Sequence, residues 1–244
     1  MAKNGHPNDP TLTRLTEEIA ASGVAESIVL YGPAAHGDDY DDASFNVLIV
    51  LETVDLASLR AVAAPIARWL KKGRPMPRLF SPKLLQGASD VFPIELLDIA
   101  DHHVVLHGED PLTRLQVSTD HLRLQCEREL REKLLRLEEG FLEAEGRDKR
   151  LRELIGASYL SFALVFRGCL RLLGAPPPKK SADVHRELCR RAGLDAEPFD
   201  AAERLERGER PSDVAALFAR YYAELQKLVE HVDSITVTRE TPHG

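Results

Sequence analysis

Residues 27–52 read SIVLYGPAAHGDDYDDASFNVLIVLE, and the fold follows from how this stretch is parsed. The apolar run 28–31 stops at Gly32, an acidic loop follows, and a second run, 45–51, is long, β-branched and uniformly apolar. A continuous apolar run of that length predicts a strand buried on both faces.

Working outward, residues 11–22 carry Leu12, Leu15, Ile19 and Ala20 on one stripe and predict a helix ending at Gly23. After the second strand, Asp55 is placed to cap a helix running to Leu70, with Pro65 expected to kink or split it. A short helix or turn is expected over 81–86, a strand over 91–99 and a further strand over 104–106. From about residue 118 the pattern changes to long helices. Residues 151–173 are apolar nearly all round, as in the central helix of a bundle, and Gly174 with Pro176, Pro177 and Pro178 terminates them. The expected fold class is therefore α+β: an N-terminal α/β domain over 1–115 with a mixed sheet, an antiparallel helical bundle over 116–235, and a tail over 236–244.

The strand, Gly-bounded loop and strand of 27–52 resemble the nucleotidyltransferase superfamily, whose signature is an apolar strand ending in Gly-Ser and, about ten residues on, Asp-hydrophobic-Asp. The order of an α/β domain and then a bundle is similar to kanamycin-type and minimal nucleotidyltransferases. Laid on that signature, Gly32 takes the Gly, Pro33 the Ser, and Ser44 and Asn46 the two carboxylates. Each departure removes a functional atom. Pro33 has neither a hydroxyl nor a backbone N–H to offer a phosphate. Ser44 and Asn46 bring neutral oxygens where the family holds paired Mg²⁺ with carboxylates. Before Gly37 the family often carries Arg, and this chain has His36.

The resemblance thus implies one of two functions. In the first, catalysis is lost, no cofactor is expected, and the protein is a binding or regulatory module that meets a protein partner or a second copy through its bundle. In the second, the chain transfers a nucleoside monophosphate from an NTP with Mg²⁺, acting on a small hydroxylated molecule or a protein. Asp42, two residues before Ser44, and Glu95, at the place of the family's third carboxylate on a later strand, would then hold metal. Asp38, Asp39 and Asp41 add charge to the same loop.

Composition narrows the remaining classes. The net charge of −7 divides into 10 Lys/Arg against 16 Asp/Glu up to Leu115 and 22 against 23 thereafter. Neither part has the clustered cations of a nucleic-acid-binding domain. The one dense basic run, Lys71, Lys72, Arg74 and Arg78 with Lys83 beyond, reads as a solvated helix end. Residues 1–10 lack the apolar run of a secretory signal, and no uncharged stretch is long enough to span a membrane. Cys126, Cys169 and Cys189 show no metal-ligand spacing, and their helical settings predict reduced, buried thiols in a cytoplasmic protein.

Overall fold

The computed structural model describes residues 9–36 and 45–235. The chain divides into two compact units, Met1–Val117 and Ser118–Gly244.

The first unit runs α1 (Pro10–Ala21), β1 (Ala25–Tyr31), α2 (Pro33–His36), β2 (Asn46–Leu51), α3 (Leu56–Leu70), β3 (Arg78–Phe80), α4 (Pro82–Ala88), α5 (Pro93–Asp101) and β4 (His103–Gly108). The four strands form one mixed sheet in the order β3-β2-β1-β4. β1 pairs antiparallel with β2 and β4, whereas β3 lies parallel to β2 and is reached through the α3 crossover. Alternation along the strands divides the core. Ile28, Leu30, Val47, Ile49 and Leu51 pack under α1 and α3, while Val29, Leu48 and Val50 pack against Leu85 of α4 and Leu96 and Ile99 of α5. β2 is consequently buried on both faces, as its unbroken apolar run predicts.

Two expectations are corrected. α3 runs unbroken through Pro65, whose ring is buried in the core face of the helix. Residues 91–99, expected as a strand, instead contain the start of α5. Pro93 occupies the first turn, where a missing N–H costs nothing, and Ile94, Leu96 and Ile99 form the buried face. Short apolar runs are ambiguous between strand and helix by periodicity alone. The sheet's edge is supplied by β3, a three-residue strand too short to carry an alternation signal.

The second unit is a helical bundle: α6 (Thr119–Ala144), α7 (Asp148–Leu172), α8 (Ser181–Ala192), α9 (Glu197–Glu206) and α10 (Val214–Ser234). α7 packs against all four of the others. Its Phe162 and Phe166 rings stack at 5.5 Å, Phe166 meets Phe199 of α9 edge-on at 5.6 Å, and Phe199 meets Tyr221 of α10 at 5.4 Å. Among the described residues α7 alone is long and apolar enough to cross a membrane, but 56% of that window is buried inside the protein, as in a core helix. All three cysteines are buried and unbridged. A hydrogen bond with Cys126, and then burial, pushes the Cys169 thiol well above its ordinary pKa, which keeps it out of the reactive thiolate form.

Candidate functional site

β1 delivers the chain to the site. Its last residue, Tyr31, pairs with Asn46 on one side and His103 on the other. Gly32 follows at φ 77°, a left-handed turn that glycine adopts without strain, and Pro33 opens α2. The Ala35 N–H donates to the Gly32 carbonyl at 2.9 Å and closes that turn.

Asn46 sits directly against it: a Cβ placed on Gly32 would stand 2.8 Å from Asn46 Nδ2. Gly32→Ala should therefore cost about 1–2 kcal/mol, chiefly through the left-handed backbone, because the amide end can swing aside. The shift in urea midpoint measures it, and adding Asn46→Ala should recover little.

By strand alternation Asn46 shares the sheet face of Leu48 and Val50, which α4 and α5 cover. Tyr31 lies on that face, as does Arg78, level with Leu48 on β3. Burial raises the Tyr31 phenol, and the Arg78 guanidinium hydrogen-bonded to it partly offsets the rise. At this end of the sheet the described residues thus present an amide, a phenol and a guanidinium. β2 supplies no carboxylate, and a guanidinium on the same face opposes a hard dication. The donors that β1, β2 and β3 bring here, taken among the described residues, do not by themselves fit a paired Mg²⁺ centre. His36 closes α2, while Gly37, Asp38, Asp39, Asp41, Asp42 and Ser44 lie outside the described residues. Glu95 is half-buried in the first turn of α5, not on a strand, where a helix N-terminus favours its charge. Its helix packs against the sheet face that Asn46 shares.

The basic run resolves into two kinds of residue. Lys71, Lys72, Arg78 and Lys83 are exposed, but Arg74 is only 8% exposed, which corrects its reading as a solvated cation. Its guanidinium lies 4.1 Å from the centre of the Phe45 ring and 5.5 Å from that of Trp69, and is paired with Asp9 at 2.6 Å. Phe45 immediately precedes β2, so this cage ties the entry of the strand bearing Asn46 to the start of α1. A single Arg in a basic run carries no sequence signal that separates it from its solvated neighbours.

In the second unit His185, Asp200 and Glu203 bring ligand-type atoms within 4.8 Å of one another. His185 is buried between the Tyr159 hydroxyl at 3.0 Å and Asp200 at 2.9 Å. Asp200 also accepts from Arg186 at 2.7 Å, and Glu203 accepts from Arg207 at 2.8 Å. Both carboxylates are already neutralised by arginines, so the cluster reads as a buried polar brace between α8 and α9 in place of a metal centre. Burial works to raise the Asp200 carboxyl, but the His185 and Arg186 hydrogen bonds outweigh it and hold the group below its ordinary pKa. A carboxyl depressed in the folded state contributes stability that is complete above its unfolded pKa of about 3.9 and is lost as pH falls through the folded value. Asp200→Asn should therefore flatten the acid limb of a plot of urea midpoint against pH between about pH 5 and pH 2.

Among solved structures, the chain is similar to spectinomycin adenyltransferase AAD(9) from Enterococcus faecialis, determined with ATP and spectinomycin. The match has a TM-score of 0.53 at 11% identity and covers 92% of this chain and 98% of that one. The fold is nucleotidyltransferase-like. At this identity the likeness is one of fold, and it takes in both the sheet unit and the helical unit. No protein-family model matches the chain, and no curated protein matches it in sequence.

Proposed function

We propose that this chain is a nucleotidyltransferase-fold protein that has lost nucleotidyl transfer and serves as a binding or regulatory module. The observation that carries the reading is the Gly32–Asn46 contact. The residue standing for a metal-binding carboxylate is an amide packed on the phosphate-turn glycine, and Arg78 adds positive charge to the same face. Pro33 withholds the N–H that such a turn offers a triphosphate. The helical unit supplies the surface for a protein partner or a second copy, and the exposed Leu124, Leu135, Leu142 and Leu160 of α6 and α7 support that role. A cytoplasmic setting belongs to the reading, supported by three buried thiols without a disulfide.

A second reading, an active NMP transferase using NTP and Mg²⁺ through Asp42 and Glu95, draws on the position of α5. That helix carries a half-buried Glu95 on the side of the sheet that Asn46 shares. Calorimetric titration with ATP, GTP, CTP and UTP, each with and without Mg²⁺, separates the two. No heat from folded protein with any nucleotide supports the first. Metal-dependent binding in the micromolar range, abolished by Glu95→Ala in a protein that stays folded, overturns it in favour of the second.

A further inference from the structure

α6 packs against α7 and α10, and it buries Leu122, Leu130 and Leu137. A second set of leucines points the other way. Leu124, Leu135 and Leu142 are 52%, 57% and 75% exposed. At 3.6 residues per turn their spacings of 11 and 7 place all three within about 20° of one line, a ridge roughly 27 Å long. Single leucines scattered over a surface are ordinary, but an apolar line along five turns of one helix is a contact face.

The charges on this ridge are sorted by sign along it. Arg128 and Arg131 share its N-terminal half, and Glu139 shares its C-terminal half with Glu138 and Glu143 on the flanks. Arg128 reaches Glu129 and Glu132 of its own chain only at 3.9 Å. Among the described residues neither Arg136 nor Glu139 has an ion-pair partner in its own chain.

This pattern is complementary to itself in one direction only. A parallel copy would set arginine on arginine and glutamate on glutamate, whereas a copy related by a two-fold axis across the helix sets each half on its opposite. With Leu124 against Leu142 of the second copy, Arg128 falls opposite Glu139 of that copy. Both Leu135 side chains then lie beside the axis, and Arg136 lies beside Glu132 of the second copy. Sliding the helices to stack Leu135 on itself would instead bring Glu132 beside Glu139 of the second copy, a like-charge contact.

We propose that the ridge of α6 is the contact of an antiparallel homodimer, in which the leucines of two copies interdigitate between reciprocal arginine–glutamate pairs. The dimer supplies a partner for the binding role proposed above and rests on that reading. A single pair of helices buries an area at the small end of specific interfaces, so the dimer is reversible, with a Kd of about 10–100 μM.

The test is sedimentation equilibrium of the full-length protein from about 5 to about 500 μM, a range that brackets that affinity. Nucleotide is left out, so failure to associate and failure of the inactive-site reading are separate results. The parent chain should pass from monomer to dimer across the range. Leu135→Asp, Arg128→Glu and Glu139→Arg should each weaken association at least tenfold, while circular dichroism and melting temperature stay those of the parent, because all three residues are exposed. An equimolar mixture of Arg128→Glu with Glu139→Arg should regain the dimer, and so should the double variant, since each restores opposite charges only in the antiparallel arrangement. A monomer at every concentration, as expected if the ridge serves a different protein, would overturn the proposal. So would a dimer indifferent to Leu135→Asp, or a double variant that stays monomeric.

Discussion

Asp9→Ala is expected to destabilise the sheet unit by about 2–4 kcal/mol, because it removes a helix cap and a buried charge-assisted pair together. Asp9 does two things with one carboxylate. Its Oδ1 accepts from the Leu12 N–H at 2.7 Å and caps α1, while its Oδ2 lies 2.6 Å from Arg74. Loss of the cap alone costs about 1 kcal/mol. The rest comes from the lost charge-assisted pair with Arg74, whose side chain is 6% exposed against the Phe45 and Trp69 rings. Cutting the pair from the other side should be milder. Arg74→Met leaves Asp9, at 18% exposure, nearer to water and still capping α1, and the thioether fills space against the two rings. The expected order of cost is Asp9→Ala, then Asp9→Asn or Arg74→Met. Trp69, the single tryptophan, stands inside the cage, so urea unfolding followed by its fluorescence reads this unit directly. A cost below about 1 kcal/mol for Asp9→Ala would mean that the pair contributes no more than a surface ion pair.

The second large effect is a gain of function. The triple variant Pro33→Ser/Ser44→Asp/Asn46→Asp should acquire Mg²⁺-dependent nucleotide binding with a Kd in the micromolar range, against no measurable binding by the parent chain. If the parent sits at about 1 mM or weaker, that change is worth about 4 kcal/mol or more. The scaffold needed for it is present: Tyr31 and Asn46 are directly paired, Gly32 makes the left-handed turn, and α2 begins immediately after it. Three changes are needed together, since one carboxylate does not hold a pair of hard cations and a restored carboxylate pair still lacks the turn's N–H and hydroxyl. Calorimetry with and without EDTA measures the gain. A folded triple variant that binds no nucleotide would show that the losses extend beyond these positions, with Arg78 the first neighbour to replace.

Legibility differed sharply between residues. The strand at 46–51, the Asp55 cap, the Gly32 stop and the all-round apolar α7 were each readable, because burial on both faces, capping chemistry and positive φ leave marks on single residues or on short periodic runs. Gly32 and Asn46 could be paired in sequence by analogy with a known signature, and the structure brings them into contact. Glu95 was readable as a carboxylate in an apolar run but not as a helical one. The strand and helix readings of 91–99 bury similar side chains, and the choice fell to the docking of Leu96 and Ile99 on the Val29 and Leu48 face.

What the sequence by itself determined is the two central strands, most of the helices and the absence of carboxylates from β2. Both depend on local patterns and on residue identity alone. Only the tertiary structure decided that one arginine of five clustered cations is caged by Asp9, Phe45 and Trp69, that His185 is braced between Tyr159 and Asp200, and that the Ser27 hydroxyl is buried without a hydrogen-bond partner. Each of these depends on side chains far apart in the chain, such as Asp9 and Arg74, meeting in a low-dielectric interior. There burial and pairing set the energy of a polar group, and no local window of sequence records either.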